Sequence, residues 1–195
     1  MLATELGLPA DQLGFVVVYV SRISSRKHPE DLAEAVRQLG PDAGVRAVFV
    51  GGGDSEPLTK AAAGLANVHV LGHRPNPAQF FAAADVFSLP SRNEPFGLAA
   101  VEAMAAGTPV VLPNAGGFQE IGDDGRTGYL YDVESPVTGL VEALVKLKND
   151  PELARAMGAR AIIDATERFA ADAMVERTID YYREVSSSPL SPSAT

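Results

Sequence analysis

Two carboxylates, Glu94 and Glu102, stand eight positions apart around a helix start, and three cations, Arg22, Arg26 and Lys27, follow the chain's first apolar run. In an open parallel sheet, ligands bind beyond the carboxyl ends of the strands, so chemistry is expected in the loops that follow apolar runs. The loop after Phe15-Val16-Val17-Val18-Tyr19-Val20 reads Ser21-Arg22-Ile23-Ser24-Ser25-Arg26-Lys27. A dinucleotide-binding fold places G-x-G-x-x-G there, and that fingerprint is missing. Side-chain cations in place of bare glycine backbone point to a phosphate gripped by charge. A solvated basic loop is the plain alternative.

The segment from Glu94 to Val111 carries more information. Pro95 and Gly97 start a helix whose first N–H groups have no intrahelical acceptor, which together with the helix dipole makes an anion site. Glu94 precedes that helix and Glu102 lies in its second turn, so both can border one cleft. Two acids repel a diphosphate, so they are expected to face hydroxylated parts of a ligand, ribose and sugar. A hydrogen bond to a charged acceptor is worth ~1.5–3 kcal/mol. An ordinary loop acid and a helix-surface acid are the bland reading of the same pair.

Apolar runs of strand length alternate with helical patterns, as a parallel sheet covered on both faces requires. The strands predicted after the first are Ala47–Val50, Val68–Leu71, Val86–Leu89, Val110–Leu112 and Tyr129–Tyr131, six in all. Between them the periodicity predicts helices after Pro29, over about 55–65, after Asn76-Pro77 as cap and first turn, and after Gly97. Three more follow, near 135–149, 151–168 and 170–185. Residues 1–13 read as a linker, 14–185 as one domain, and 186–195 as a Ser/Pro-rich disordered tail. Phe80, Phe81 and Phe87 read as core, His69 as a strand residue, His28 as the opening of a helix, and Asp123-Asp124 as a solvated turn.

Composition bounds the partners. A net charge of −9 over 195 residues argues against a nucleic-acid binder, which needs a basic stripe. Cysteine is absent, so disulfides, thiolate metal sites and cysteine nucleophiles are excluded. No basic-then-apolar leader and no run of membrane-span length are visible. A cytoplasmic protein is the expectation.

The stretch E-P-F-G-L-A-A-V-E-A-M-A-A-G-T-P-V-V resembles the E-x7-E signature of retaining nucleotide-sugar glycosyltransferases, the family that includes sucrose-phosphate synthases and phosphatidylinositol mannosyltransferases. The likeness runs from Gly14 to Tyr182 and includes Arg22 with Lys27 as R-x4-K, Gly51-Gly52-Gly53, Leu71-Gly72, Pro90-Ser91, Gly116-Gly117 with Glu120, and Thr127-Gly128. It implies an α/β fold with a doubly wound, parallel, six-stranded Rossmann-like sheet, one half of a two-domain glycosyltransferase fold. Arg22 and Lys27 would neutralise a donor diphosphate and Glu102 would bind ribose. Glu94 and the backbone at Phe96, Gly97 and Leu98 would hold the transferred sugar and its nearest phosphate. Gly52 would lie near the nucleotide, and Leu71, His73 and Arg74 would line the base pocket.

By the same resemblance the partner is a nucleoside diphosphate sugar, with no cofactor and no metal, since the D-x-D triplet of the other main glycosyltransferase fold does not occur. Ser21 departs from the family, which has glycine before its arginine. The N-terminal acceptor-binding domain of the family is also not in this sequence, so an acceptor half in cis or in trans is an expected partner. The rival readings are a non-catalytic nucleotide-sugar-binding subunit and an epimerase of the same architecture.

Overall fold

The computed structural model describes residues 1–187. In chain order the elements are α1 (Leu2–Leu6), β1 (Phe15–Val20), α2 (Pro29–Leu39), β2 (Val45–Val50), α3 (Glu56–Ala61), β3 (Val68–Gly72), α4 (Ala78–Ala82) and β4 (Val86–Ser88). They continue with α5 (Leu98–Ala105), β5 (Val110–Pro113), α6 (Phe118–Ile121), β6 (Gly128–Tyr131), α7 (Pro136–Asn149), α8 (Pro151–Phe169) and α9 (Ala171–Ser187). Short 3-10 turns lie at Ala10–Gln12, Ser25–Lys27 and Pro41–Ala43.

The six strands form one parallel sheet in the order β3-β2-β1-β4-β5-β6. The expected fold class, an α/β Rossmann-like sheet, is the observed one. Helices cover both faces, which is why β1 and β5, and β2 from Ala47 onward, read as continuous apolar runs rather than alternating ones. Val17, Val18, Tyr19, Val48 and Phe49 are buried at the centre, with Phe80, Phe81 and Phe87 in the core as predicted. His69 sits in β3, where its Nε2 meets the Arg46 guanidinium. Burial, aided by that cation, holds its pKa below the ordinary histidine value.

Several local expectations shift. The helix expected over 55–65 ends at Ala61, because Gly64 takes a left-handed φ of 78° as the chain turns toward β3. Asn76 does not cap α4: Pro77 occupies the cap position and no side-chain bond is made there. The helix expected to start at Pro95 and Gly97 does begin there, at Leu98 with Gly97 as its cap. The expected linker is partly helical, as α1 buries Leu2 and its Glu5 pairs with Arg74 at 3.0 Å. Helix α9 continues through Ser187, two residues into the expected tail; the rest of that tail lies outside the described residues. No described helix is long and apolar enough to cross a membrane.

One contact fixes the helix that carries Glu102. A Cβ at Gly158, in the middle of α8, would strike the Gly107 carbonyl just beyond α5. Alanine normally stabilises a helix interior by ~1 kcal/mol over glycine. Here Gly158→Ala is expected to destabilise instead, by about 1–3 kcal/mol from overpacking. Urea unfolding followed by circular dichroism checks the sign; a gain in stability would mean that α8 can draw back from α5.

Candidate functional site at the strand switch

The strand order reverses between β1 and β4, which pair with each other, so the loops after these two strands are neighbours at the carboxyl edge of the sheet. The first loop is set by glycines opposite it. A Cβ at Gly51 would strike the Ser21 carbonyl and one at Gly53 the Ile23 carbonyl, while Ile23 N donates to the Gly52 carbonyl at 2.9 Å. The buried Tyr19 hydroxyl donates to the Arg22 carbonyl at 3.1 Å, anchoring the same loop from below. Burial pushes the Tyr19 pKa well above the ordinary tyrosine range, so the phenol stays a donor. Ser21 adopts an ordinary φ, since among the described residues only His28 is a non-glycine with positive φ. Glycine is therefore not required at that position.

The second loop is set by Gly97. Its φ of 103° favours glycine, and a Cβ there would lie 2.6 Å from the Phe118 ring. This sharp corner starts α5 with no side-chain cap, leaving the first-turn N–H groups of Leu98 and Ala99 without intrahelical partners. Gly117 N donates to the Glu94 carbonyl at 2.8 Å, and a Cβ on Gly117 would crowd the Phe96 backbone. The Gly116-Gly117 turn therefore fits against residues 94–96.

Between the two loops the Lys27 ammonium pairs with the Glu94 carboxylate. Both side chains are largely enclosed, at 15% and 13% exposure, so the pair is stronger than a surface one. Arg22 is exposed and lines a cleft of about 550 Å³ with Gly51, Gly52, Gly53, His73 and Arg74. Phe96 and Leu98 lie on a different, apolar groove of about 590 Å³ with Phe169, Met174, Tyr181 and Tyr182. The Phe96 ring packs edge-on against Phe169 at 5.9 Å.

Glu102 is exposed on the same face of α5 as Leu98, one turn on, and pairs with no described residue. Leu71 is half-buried, and its carbonyl accepts from Arg74 Nη1 at 2.6 Å. That carbonyl and the Arg74 guanidinium, which also holds Glu5, already have partners, whereas His73 stays exposed. The structure thus brings Arg22, Gly52, His73 and Arg74 around one cleft, and Lys27 to Glu94 beside the α5 start. It keeps Leu98 and Glu102 on one exposed helix face.

A cavity of about 610 Å³ lies at the amino-terminal edge of the sheet, around Phe15, Asp85, Pro109 and Lys148. It is remote from all of these groups, so chemistry rather than size marks the site. Among the described residues no cluster of three or more His, Asp or Glu is arranged to hold a metal ion. Sequence reasoning passed over Tyr19, Glu5 and the Asp31–Arg92 pair. For Tyr19 a signal existed: a hydroxyl amid five apolar strand residues must find a partner at the strand's end.

A doubly wound sheet with cations and an uncapped helix start at its switch point is the Rossmann-like architecture of two-domain glycosyltransferases. The chain belongs to the family described as glycosyl transferases group 1, whose model matches residues 8–164. It is similar to the D-inositol 3-phosphate glycosyltransferase of Streptomyces avermitilis, with 38% identity over 194 residues. That match takes in 91% of this chain and 41% of the relative. Alpha-maltose-1-phosphate synthase of Mycolicibacterium smegmatis is 32% identical over 93% of this chain and 50% of its own length.

Among solved structures, Anabaena HepE in complex with UDP and glucose superposes with a TM-score of 0.82 at 27% identity, covering 94% of this chain and 51% of that one. Sucrose-phosphate synthase of Thermosynechococcus elongatus gives 0.81 at 31%, covering 94% and 48%. The chain spans about half the length of the relatives it matches.

The enclosed ion pair makes a prediction about the free protein. Lys27→Met leaves Glu94 enclosed and uncompensated, and is expected to cost about 1–3 kcal/mol of stability. Adding Glu94→Gln removes the stranded charge and is expected to recover most of that loss. Denaturant midpoints of both variants, measured without nucleotide, check it. A double variant no more stable than the single one would mean that the loss does not come from the uncompensated Glu94 charge.

Proposed function

We propose that this chain is the donor-binding half of a retaining glycosyltransferase, binding a nucleoside diphosphate sugar from which a hexosyl group passes to an acceptor. The observation that carries this reading is the meeting of Lys27 with Glu94 directly before the uncapped start of α5. A cation, a carboxylate and free helix N–H groups in one place suit a sugar phosphate: the first and last meet the phosphate, and the carboxylate accepts from sugar hydroxyls.

In this reading Arg22 and Lys27 neutralise the diphosphate as it becomes a leaving group, adding to the helix start at Gly97. Glu94, with the Phe96, Gly97 and Leu98 backbone, holds the sugar. Glu102 takes the ribose hydroxyls, and the cleft at Gly52, His73 and Arg74 takes the base. The donor brings its own leaving group, so no cofactor is needed, and the two cations stand where a metal would otherwise balance charge. The UDP bound in the Anabaena structure makes UDP the first nucleotide to test. The acceptor belongs to the other half of a longer enzyme. Without it the orientation of two substrates, which can lower a barrier by ~7–11 kcal/mol, is absent, and slow donor hydrolysis is the most expected.

Titration calorimetry with UDP, GDP and ADP, with and without chelator, tests the reading. One of the three is expected to bind, and chelator to leave its affinity unchanged; binding abolished by chelator would refute the metal-free site. Lys27→Ala is expected to weaken the nucleoside diphosphate about ten- to a hundredfold while sparing the nucleoside. Equal losses on both would remove the lysine from the phosphate. Glu102→Gln is expected to abolish discrimination between the ribonucleotide and its 2′,3′-dideoxy form. A variant that still discriminates would take the ribose away from Glu102.

A further inference from the structure

The loop that carries Glu94, residues 89–97, is neither helix nor strand. Its carboxylate is therefore only as well placed as the contacts that tether the loop. Three of them cross to the segment after β1. Ser91 Oγ donates to the Arg26 carbonyl at 3.4 Å, Lys27 pairs with Glu94, and Arg92 Nη2 meets Asp31 Oδ2 at 2.6 Å. The first is long for a hydroxyl bond and contributes little.

The two ion pairs differ in what a substrate does to them. If the donor binds as proposed, its phosphate draws on the Lys27 ammonium and its sugar on the Glu94 carboxylate, so that pair is shared with the ligand. Arg92 and Asp31 bridge the same two segments, and the donor claims neither of them. Asp31 sits in the first turn of α2 with its side chain 14% exposed. The inner edge of Arg92, at Nε, is enclosed, as is the hydroxyl of Tyr131, a residue 5% exposed at the end of β6. Arg92 and Asp31 both act electrostatically on the buried Tyr131 hydroxyl. Although the Arg92 side chain is 34% exposed, it cannot leave Asp31 without stranding a largely enclosed carboxylate.

We infer that Arg92 is a positioning residue: its ion pair with Asp31 fixes the loop bearing Glu94, and so governs how well the transferred sugar, as distinct from the nucleotide, is held. This rests on the donor-site reading above, and the test separates the two. UDP with UDP-glucose, GDP with GDP-mannose or ADP with ADP-glucose is used, according to which nucleotide the chain binds in the titration above. Affinities of both members of the pair are measured for the wild type, Arg92→Met, Asp31→Asn and the reciprocal exchange Asp31→Arg with Arg92→Asp. Glu94→Gln is measured beside them, and thermal unfolding is recorded for every variant.

Arg92→Met and Asp31→Asn are each expected to weaken the sugar nucleotide about fivefold while leaving the free nucleoside diphosphate within about twofold. The exchange is expected to return part of that loss, which a merely destabilised fold would not. Asp31→Asn keeps the shape of the side chain and stands in if Arg92→Met does not fold. Equal effects on both ligands, or no effect on either, overturn the inference. Should Glu94→Gln lose the sugar selectively and the Arg92 and Asp31 variants not, the inference alone fails. Should Glu94→Gln show no selectivity, or the wild type bind no nucleotide, the donor-site reading fails and takes the inference with it.

Discussion

The pairing of β1 with β4 is the constraint on which the rest depends. Parallel strands need long crossovers, and here the chain builds β2 and β3 on one side of β1 before crossing back to lay β4 on the other. That reversal leaves the loops after β1 and β4 side by side, with no helix between them. Residues 67 positions apart in sequence, Lys27 and Glu94, can then meet. Arg22, Lys27 and Glu94 stand on these two loops, Glu102 follows on α5, and His73 and Arg74 come from the segment after β3.

Each loop is held by a close approach that only glycine permits. Gly51 and Gly53 let the end of β2 lie against the Ser21–Ile23 backbone, and Gly97 with Gly117 lets the Glu94 loop fold over Phe118. These glycines serve packing, and side chains there would push the loops apart. Gly52 differs: an added Cβ would meet nothing closer than the His73 Cβ at 3.8 Å. It alone of the triplet leaves space for a ligand's approach. The Gly51-Gly52-Gly53 run thus mixes two physical roles that its spelling does not separate.

Much of this was legible in the sequence, because buried parallel strands and amphipathic helices leave strong periodic signals. Six apolar runs gave six strands, and Phe80, Phe81 and Phe87 fell in the core as their pattern required. Local boundaries were less legible where a single backbone angle decides. Gly64 ended α3 early, and Pro77 rather than Asn76 took the cap of α4. In the site, the sequence announced Lys27 and Glu94 separately but not their pairing, which depends on strand order. Arg92 and Asp31 gave no signal at all, being ordinary charged residues until the fold brings them within 2.6 Å. Arg74 was legible as a loop cation, yet its tie to Glu5 depends on where α1 docks.

The same fold treats its two motif carboxylates differently, although they read alike in the sequence. Glu94 lies in an irregular loop, is largely enclosed and has a cation beside it, so in the free protein its charge is already compensated. Glu102 stands on regular helix, exposed, with no ion-pair partner among the described residues. A ligand hydroxyl arriving at Glu102 displaces only water, and its net gain is the small difference between two similar hydrogen bonds. At Glu94 a ligand competes with Lys27 for the carboxylate, and that competition is easiest if the ligand offers the lysine an anion as it offers the glutamate a hydroxyl. A neutral sugar satisfies one half of the exchange and inorganic phosphate the other. A sugar phosphate satisfies both at once. On the proposed reading the ion pair then favours the intact donor over either fragment, while a nucleoside diphosphate still gains a charge-assisted contact with Lys27 that does not require Glu94 to be released.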